Sequence, residues 1–404
     1  MKKKNILLCN HQCYPNLIGG AEISLLTIVH YLDKEKYRPF ILSPKEGKFT
    51  DTIDEMGLKQ VIIPYEMLWD MISPYRNVSK SIDQYTHKHK DALQKITKYI
   101  QEQKIDVILS NSIVNILPLL AARKNNVPTM LFIREIIYPS ADTYANGFVR
   151  FLYKVFRRYG GWFYTKALES SIHQLSGITV YVSKTCQTRV IHKISSLERD
   201  VVLNPPIRNE IFEPYLDHAI SINRKEKMTV GFFGLLLSHK GIEDYIEIAL
   251  NVTKQMDGIE FIIVGGAPDP QYREYLHRKI ASTNNIHFIG YKENLGPVYE
   301  KTDIICFPSI SEESFGKVVT EGMFLGKTII AYDTGSIREI IETAVNGFIV
   351  PKRDRKAVEE LIIQLYENRK RLYDIGENAM THTRTKYDPR QYVQKLEGYI
   401  AQLK

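Results

Sequence analysis

The stretch Asp303–Glu339, D-I-I-C-F-P-S-I-S-E-E-S-F-G-K-V-V-T-E-G-M-F-L-G-K-T-I-I-A-Y-D-T-G-S-I-R-E, limits the fold of this chain more than any other. Ile304–Phe307 and Thr328–Tyr332 are short unbroken apolar runs, the pattern of strands buried in a parallel sheet. Between them lie a polar loop, Pro308–Ser314, and an apolar helical segment from about Phe315 to Leu325. Strand, loop, helix and strand in close succession predict a right-handed βαβ unit whose loop opens at the carboxyl end of the sheet.

Glu321 is out of place in such a unit. On a helix it shares a face with Val318, Gly322 and Leu325, the stripe expected to pack on the sheet. An unpartnered carboxylate there costs several kcal/mol, so a polar group must meet it. A backbone or lysine partner in the core is one answer, and a ligand is another. Glu313 favours the ligand, because it sits just before the helix amino end, with Ser314 as expected N-cap and Gly316 allowing close backbone approach. At a rise of 1.5 Å per residue, Glu321 lies roughly 10 Å beyond that end. Two carboxylates flanking an exposed helix amino end suit a ligand with hydroxyls at both ends and phosphate between, such as a nucleotide-diphosphate sugar.

These residues resemble a known family. Glu313-Ser314-Phe315-Gly316 followed by Glu321-Gly322-Met323 is similar to the E-x7-E signature of glycosyltransferase family 4, retaining enzymes of the GT-B fold. Lys327–Ala331, Gly335–Ile340 and Asn346–Val350 resemble that family's continuation. The resemblance implies an α/β protein of two Rossmann-like, doubly wound domains facing across a cleft. It also implies that Glu313 contacts the donor sugar, Glu321 the ribose, and Ser314, Phe315 and Gly316 the donor.

Length agrees with two domains, since 404 residues exceed one ordinary core. Hydrophobic residues make up 44% and charged residues 25%, the balance of a soluble globular protein. Four cysteines are too few for a disulfide framework, and a reducing cytoplasm is the natural compartment. Cys9 and Cys13 bracket His11, yet no second ligand pair follows at finger spacing, so no metal site is expected. The apolar run Ile6–Cys9 after three lysines is a first strand and too short for an export signal. No run has the length of a spanning helix. The net charge of +8 is uneven: residues 1–200 hold 28 Lys/Arg against 18 Asp/Glu, the remainder 26 against 28. The first half is either generally basic on its surface or meets something anionic. Nucleic acid is not expected as a partner.

The first domain is expected over residues 1–204. Strand Asn5–Cys9 leads through Gly19-Gly20-Ala21-Glu22 into a helix ending near Leu32. Paired glycines there make a tight turn, or let backbone N–H groups approach a phosphate. The turn resembles the family's G-G-x-E, which implies donor contact by Gly19 and Gly20, and it departs from the G-x-G-x-x-G of dinucleotide oxidoreductases. Further strands are expected at Pro39–Ser43, Gln60–Pro64, Val107–Ser110, Thr129–Ile133 and Ile178–Val182. Ser110–Ser112 and Arg134-Glu135 then fall at carboxyl strand ends. The family commonly carries a histidine near the latter position; this chain has Ile133-Arg134-Glu135, so no catalytic histidine carries over.

Phe148–Lys166 places Phe148, Phe151, Leu152, Val155, Phe156 and Tyr159 on one helical face, among Arg150, Lys154, Arg157 and Arg158. Such a helix either packs in the core with a solvated basic rim or lies on an anionic membrane surface.

Asn204-Pro205-Pro206 and the polar stretch to Lys227 read as a linker, 205–227. The second domain is expected over 228–387, with the last helix, in 388–404, packing back on the first domain as in GT-B enzymes. Its first turn, Gly234-Leu235-Leu236-Leu237-Ser238-His239-Lys240-Gly241, is similar to the family's G-R-L-x-x-x-K-G. Gly234, Lys240 and Gly241 match, which implies that Lys240 binds the donor diphosphate and that Gly234 contacts the donor, while Leu235 replaces the family's diphosphate-binding arginine. Lys317 or Arg134 is the expected compensating cation. Tyr291 follows a later strand, where the resemblance implies nucleobase contact; ordinary loop packing is the alternative.

The implied reaction is metal-independent transfer of a sugar, with retained configuration, from a UDP- or GDP-type donor to a hydroxyl of a glycan or lipid-linked acceptor. Lys240 and Glu313 are the expected catalytic residues, and no cofactor beyond the donor substrate is expected. Cell-surface polysaccharide or glycolipid synthesis, in the cytoplasm or peripherally on the inner face of the membrane, is the expected setting. Leu235 and the missing histidine motivate a second reading, a catalytically silent nucleotide-sugar-binding partner. A GT-B nucleotide-sugar epimerase is a third.

Overall fold

The computed structural model describes residues 3–16, 18–69, 78–136, 170–190, 199–208, 212–216, 227–281 and 283–403. The stretch 148–166 lies outside them. The chain divides into two compact units, one of Met1–Pro206 with Pro389–Lys404 and one of Ile207–Asp388.

In the first unit, β1 (Lys4–Cys9), β2 (Tyr37–Ser43), β3 (Lys59–Ile62), β4 (Val107–Ser110), β5 (Thr129–Ile133), β6 (Ile178–Tyr181) and β7 (Asp200–Val202) form a parallel sheet. Its order is β3-β2-β1-β4-β5-β6-β7. β4, β5 and β6 are buried along their whole length, which is why they read as continuous apolar runs rather than alternating ones. Helix Gly20–Tyr31 packs Leu25, Ile28 and Val29 into this core. So does the last helix, Pro389–Gln402, with Tyr392, Val393, Leu396 and Ile400. Glu397 of that helix accepts the Asp33 N–H at 2.8 Å.

The second unit repeats the plan. β8 (Met228–Phe233), β9 (Ile259–Val264), β10 (Ile286–Gly290), β11 (Ile304–Phe307), β12 (Thr328–Tyr332) and β13 (Phe348–Val350) are parallel, in the order β10-β9-β8-β11-β12-β13. Both sheets therefore have the doubly wound order, reversing beside their first strand. The βαβ expectation holds at β11 and β12, paired from Ile304↔Thr328 to Phe307↔Ala331.

The linker reading is corrected in part. Ile207 donates its N–H to Tyr387 at 3.1 Å, and Phe212 is fully buried, its ring edge-on to Tyr299 at 5.9 Å. Tyr215 lies where a side chain at Gly296 would stand. These residues belong to the second unit's packing, although the prolines before them break regular structure.

Candidate active site

In the second unit the strand order reverses between β8 and β11, so the loops leaving their carboxyl ends border one crevice. Main-chain contacts join the loops: Ile310 and Ser311 both donate N–H to the His239 carbonyl, at 2.9 and 3.0 Å. Gly241 has φ +77°, and a Cβ there would stand 1.8 Å from the Pro308 carbonyl oxygen. Only glycine allows that approach, and it brings Lys240, the preceding residue, beside the second loop.

Lys240 Nζ donates to Glu313 Oε1 at 2.7 Å, and Ser309 Oγ donates to the same oxygen at 2.5 Å. Ser309 is fully buried and Glu313 nearly so. The Glu313 main chain is held as well. Gly335, with φ +56°, lies so close that a Cβ would be 2.1 Å from the Glu313 carbonyl oxygen, and Ser336 donates its N–H to that oxygen at 3.0 Å. The His239 imidazole next to the pair has its pKa lowered, first by burial and then by the Lys240 charge. A buried carboxylate, a lysine and a loop fixed at both ends make a preorganised charged site.

The helix that follows spans Lys317–Phe324 and its N-cap is Gly316, at φ +82°, not Ser314 as expected. The left-handed conformation at the cap excludes serine for the reason that favours glycine. The helix is also buried more widely than one stripe: Val319 to Phe324 are all covered, while Val318 is only half-buried. Gly322 rests on the sheet, where a Cβ would meet Ile305 at 2.2 Å and Ile329 at 3.1 Å. Glu321 is 7% exposed and accepts from the fully buried Tyr299 hydroxyl at 3.4 Å. That single long bond leaves most of the capacity of a carboxylate unused by Tyr299. Counted from the observed cap, Glu321 is about 7 Å into the helix rather than 10 Å.

The other expected positions are distributed as follows. Gly234 follows β8 with its N–H on the Val264 carbonyl at 3.0 Å, and Leu235 is 39% exposed. Phe315 is buried edge-on to Tyr387, with ring centroids 5.5 Å apart. Ser314 and Lys317 are half-buried in the same loop and helix start. Tyr291 is half-exposed after β10. Gly19 and Gly20 lie in the first unit, at the start of helix Gly20–Tyr31. The Gly19 N–H donates to Glu22 Oε2 at 2.6 Å, so that amide is already occupied. Burial pushes the Glu22 carboxyl up to about 7. Arg134 also belongs to the first unit, at the end of β5. Sequence reading missed Ser309 as a partner of Glu313, although its place one residue past the strand-ending Pro308 was a signal.

Residues 216–382 match the family model described as Glycosyl transferases group 1. An uncharacterized 42.6 kDa protein in the cps region of Klebsiella pneumoniae is 26% identical over 358 residues, covering 86% of this chain and 90% of that protein. The N,N'-diacetylbacillosaminyl-diphospho-undecaprenol alpha-1,3-N-acetylgalactosaminyltransferase of Campylobacter jejuni is 27% identical over 39% of this chain and 41% of its own length. Among solved structures, Anabaena HepE in complex with UDP superposes with a TM-score of 0.76 at 17% identity, over 99% of this chain and 100% of that one. The chain thus has the GT-B fold, and its residues 216–382 are similar to the glycosyl transferases group 1 family.

Proposed function

We propose that the chain is a retaining glycosyltransferase of family 4, moving a sugar from a UDP- or GDP-type donor to a hydroxyl of a glycan or lipid-linked acceptor. The observation that carries this reading is the Lys240–Glu313 pair in the strand-order crevice of the group 1 domain. Negative charge grows on the diphosphate as the glycosidic bond breaks, and a cation already fixed beside it stabilises that transition state most. Lys240 takes this role. Among the described residues, Lys240 and Ser309 both bond Oε1 of Glu313, which leaves Oε2 to accept from a donor-sugar hydroxyl. Glu321 holds the ribose, and the Ser314–Gly316 backbone lies along the phosphates. The lysine supplies the neutralisation that a divalent ion supplies elsewhere, so the reaction runs without metal in this reading.

The UDP complex of the structural neighbour supports a uridine nucleotide donor. The relative named for transfer to a diphospho-undecaprenol carrier supports a lipid-linked acceptor. No helix among the described residues is long and apolar enough to cross a membrane. In this reading the enzyme works in cell-surface polysaccharide or glycolipid synthesis, held peripherally at the membrane by the basic aromatic stretch 148–166.

The test is proton NMR of product made by the purified chain from nucleotide sugar and acceptor. The expected product keeps the donor's anomeric configuration, at a rate unchanged by EDTA; an inverted product overturns the reading. Exposed Leu235, at the arginine position, favours a second reading, a silent nucleotide-sugar-binding partner. Donor binding without transfer or donor hydrolysis would select it.

A further inference from the structure

The first unit also reverses its strand order, between β1 and β4, and the loops leaving β4 and β5 hold a guanidinium that forms no ion pair among the described residues. Arg134 Nε donates to Asn111 Oδ1 at 2.7 Å, and Asn111, fully buried, is fixed in turn by donating to the Ala21 carbonyl at 2.9 Å. The Phe132 ring lies 5.1 Å beneath the guanidinium. Held on these sides, the guanidinium keeps Nη2 buried and without a partner. Glu135, next in sequence, lies near enough for its charge to act on the guanidinium, yet it makes no ion pair with it. Its carboxylate accepts from the Ser112 hydroxyl and from the Arg134 N–H at 3.1 Å. Among the described residues no carboxylate forms an ion pair with the Arg134 side chain.

His11, in the loop after β1, supplies a second unsatisfied group. It is 6% exposed, and its Nδ1 is buried without a partner. The two loops are joined: Asn111, which accepts from Arg134 Nε, donates its own N–H to the Cys9 carbonyl at 3.1 Å, two residues before His11. Burial first, then the Arg134 charge, hold the imidazole pKa at about 4, so the ring is neutral. Buried charges are ordinarily paired, and a guanidinium edge matches the geometry of a carboxylate or phosphate. A neutral imidazole in its Nδ1–H form adds one more donor.

We infer that Arg134 and His11 form an oxyanion site within the first unit, taking the carboxylate or phosphate of an acidic saccharide acceptor. The site itself rests on the geometry of this unit, and its assignment to the acceptor rests on the transferase reading.

Calorimetric titration of the purified full chain tests it, with glucuronate, glucose 6-phosphate and, as neutral control, glucose. At least one anionic sugar is expected to bind, glucose is not, and the ratio of the two anions tells carboxylate from phosphate. Arg134→Gln is expected to weaken the anion at least tenfold. Arg134→Lys, which keeps the charge and loses the fork, and His11→Asn should fall between. UDP or GDP, titrated into the same variants, should bind within twofold of wild type. Equal anion binding by wild type and Arg134→Gln, or none by wild type, overturns the inference. Loss of the nucleotide in Arg134→Gln instead gives the guanidinium to the donor and overturns the acceptor assignment. Anion binding in a chain that binds no nucleotide sugar leaves the site standing and sinks the transferase reading.

Discussion

Replacing Glu313 by glutamine separates the two jobs assigned to it. In the ligand-free chain its Oε1 is 2.7 Å from Lys240 Nζ, so the lysine's charge is already partly cancelled. A phosphate oxygen that takes Lys240 at about 3 Å would stand about 5 Å from the Glu313 carboxylate. Two unit charges at about 5 Å repel by roughly 1 kcal/mol in water and about 3 kcal/mol at an effective dielectric constant of 20. The Lys240 side chain is 31% exposed, which favours the lower half of that range. Removing the charge while keeping the shape should therefore tighten free UDP or GDP by about 1–2 kcal/mol, roughly 5- to 30-fold. The nucleotide sugar should gain far less, because its hydroxyl loses a charge-assisted hydrogen bond of about 1.5–3 kcal/mol. Turnover should fall. Calorimetric titration of Glu313→Gln with nucleoside diphosphate and nucleotide sugar reads all of this as a ratio of affinities. If Glu313→Gln weakens the free nucleotide, or shifts both ligands equally, the carboxylate does not stand between the lysine and the sugar.

Three further outcomes follow from the same geometry. Ser309→Ala removes the 2.5 Å bond to Glu313 but spares the lysine, so turnover should drop about tenfold with nucleotide affinity nearly unchanged, and Ser309→Thr should restore part of it. An equal fall in affinity would make Ser309 a general structural residue. Gly241→Ala forces a methyl group onto the Pro308 carbonyl at a positive φ, and calorimetry should show the second unit destabilised by more than about 2 kcal/mol; an unchanged melting temperature contradicts the loop packing. For Glu22, burial raises the folded-state carboxyl from 4.5 to about 7. The folded state then binds that proton more tightly, so its contribution is most favourable below about pH 4.5 and is lost as pH rises through 7. The loss is on the order of 3 kcal/mol at most. Glu22→Gln should flatten the fall of melting temperature between pH 5 and 8, and an unaltered slope would show that Glu22 titrates normally.

The doubly wound plan was legible because fully buried parallel strands carry their signal in the chain itself, as at Ile304–Phe307 and Thr328–Tyr332. What escaped depends on contacts between distant residues. Ser314 is a good cap by propensity, but Gly335 and Ser336 hold the Glu313 main chain so that the turn falls on Gly316. Phe212 sits in a proline-broken polar stretch, and the Tyr299 and Phe324 rings that it meets lie far along the chain. The joining of Lys240 to Glu313 spans 73 residues, and no local pattern encodes it. Strand order supplies it, by setting the ends of β8 and β11 side by side. Gly19 illustrates the opposite error: a glycine turn that looks open in sequence has its amide taken by Glu22, three residues on.

The central claim is a nucleotide-sugar site in the second unit with Glu321 on the ribose. Titrating a panel of UDP- and GDP-sugars into wild type, Glu321→Ala and Lys240→Ala tests it most directly. The account predicts that a nucleotide sugar binds the wild type, and that losing a charged hydrogen bond at Glu321 costs about 1.5–3 kcal/mol, at least tenfold in affinity. Wild-type affinity in both variants would place the ligand elsewhere and contradict it.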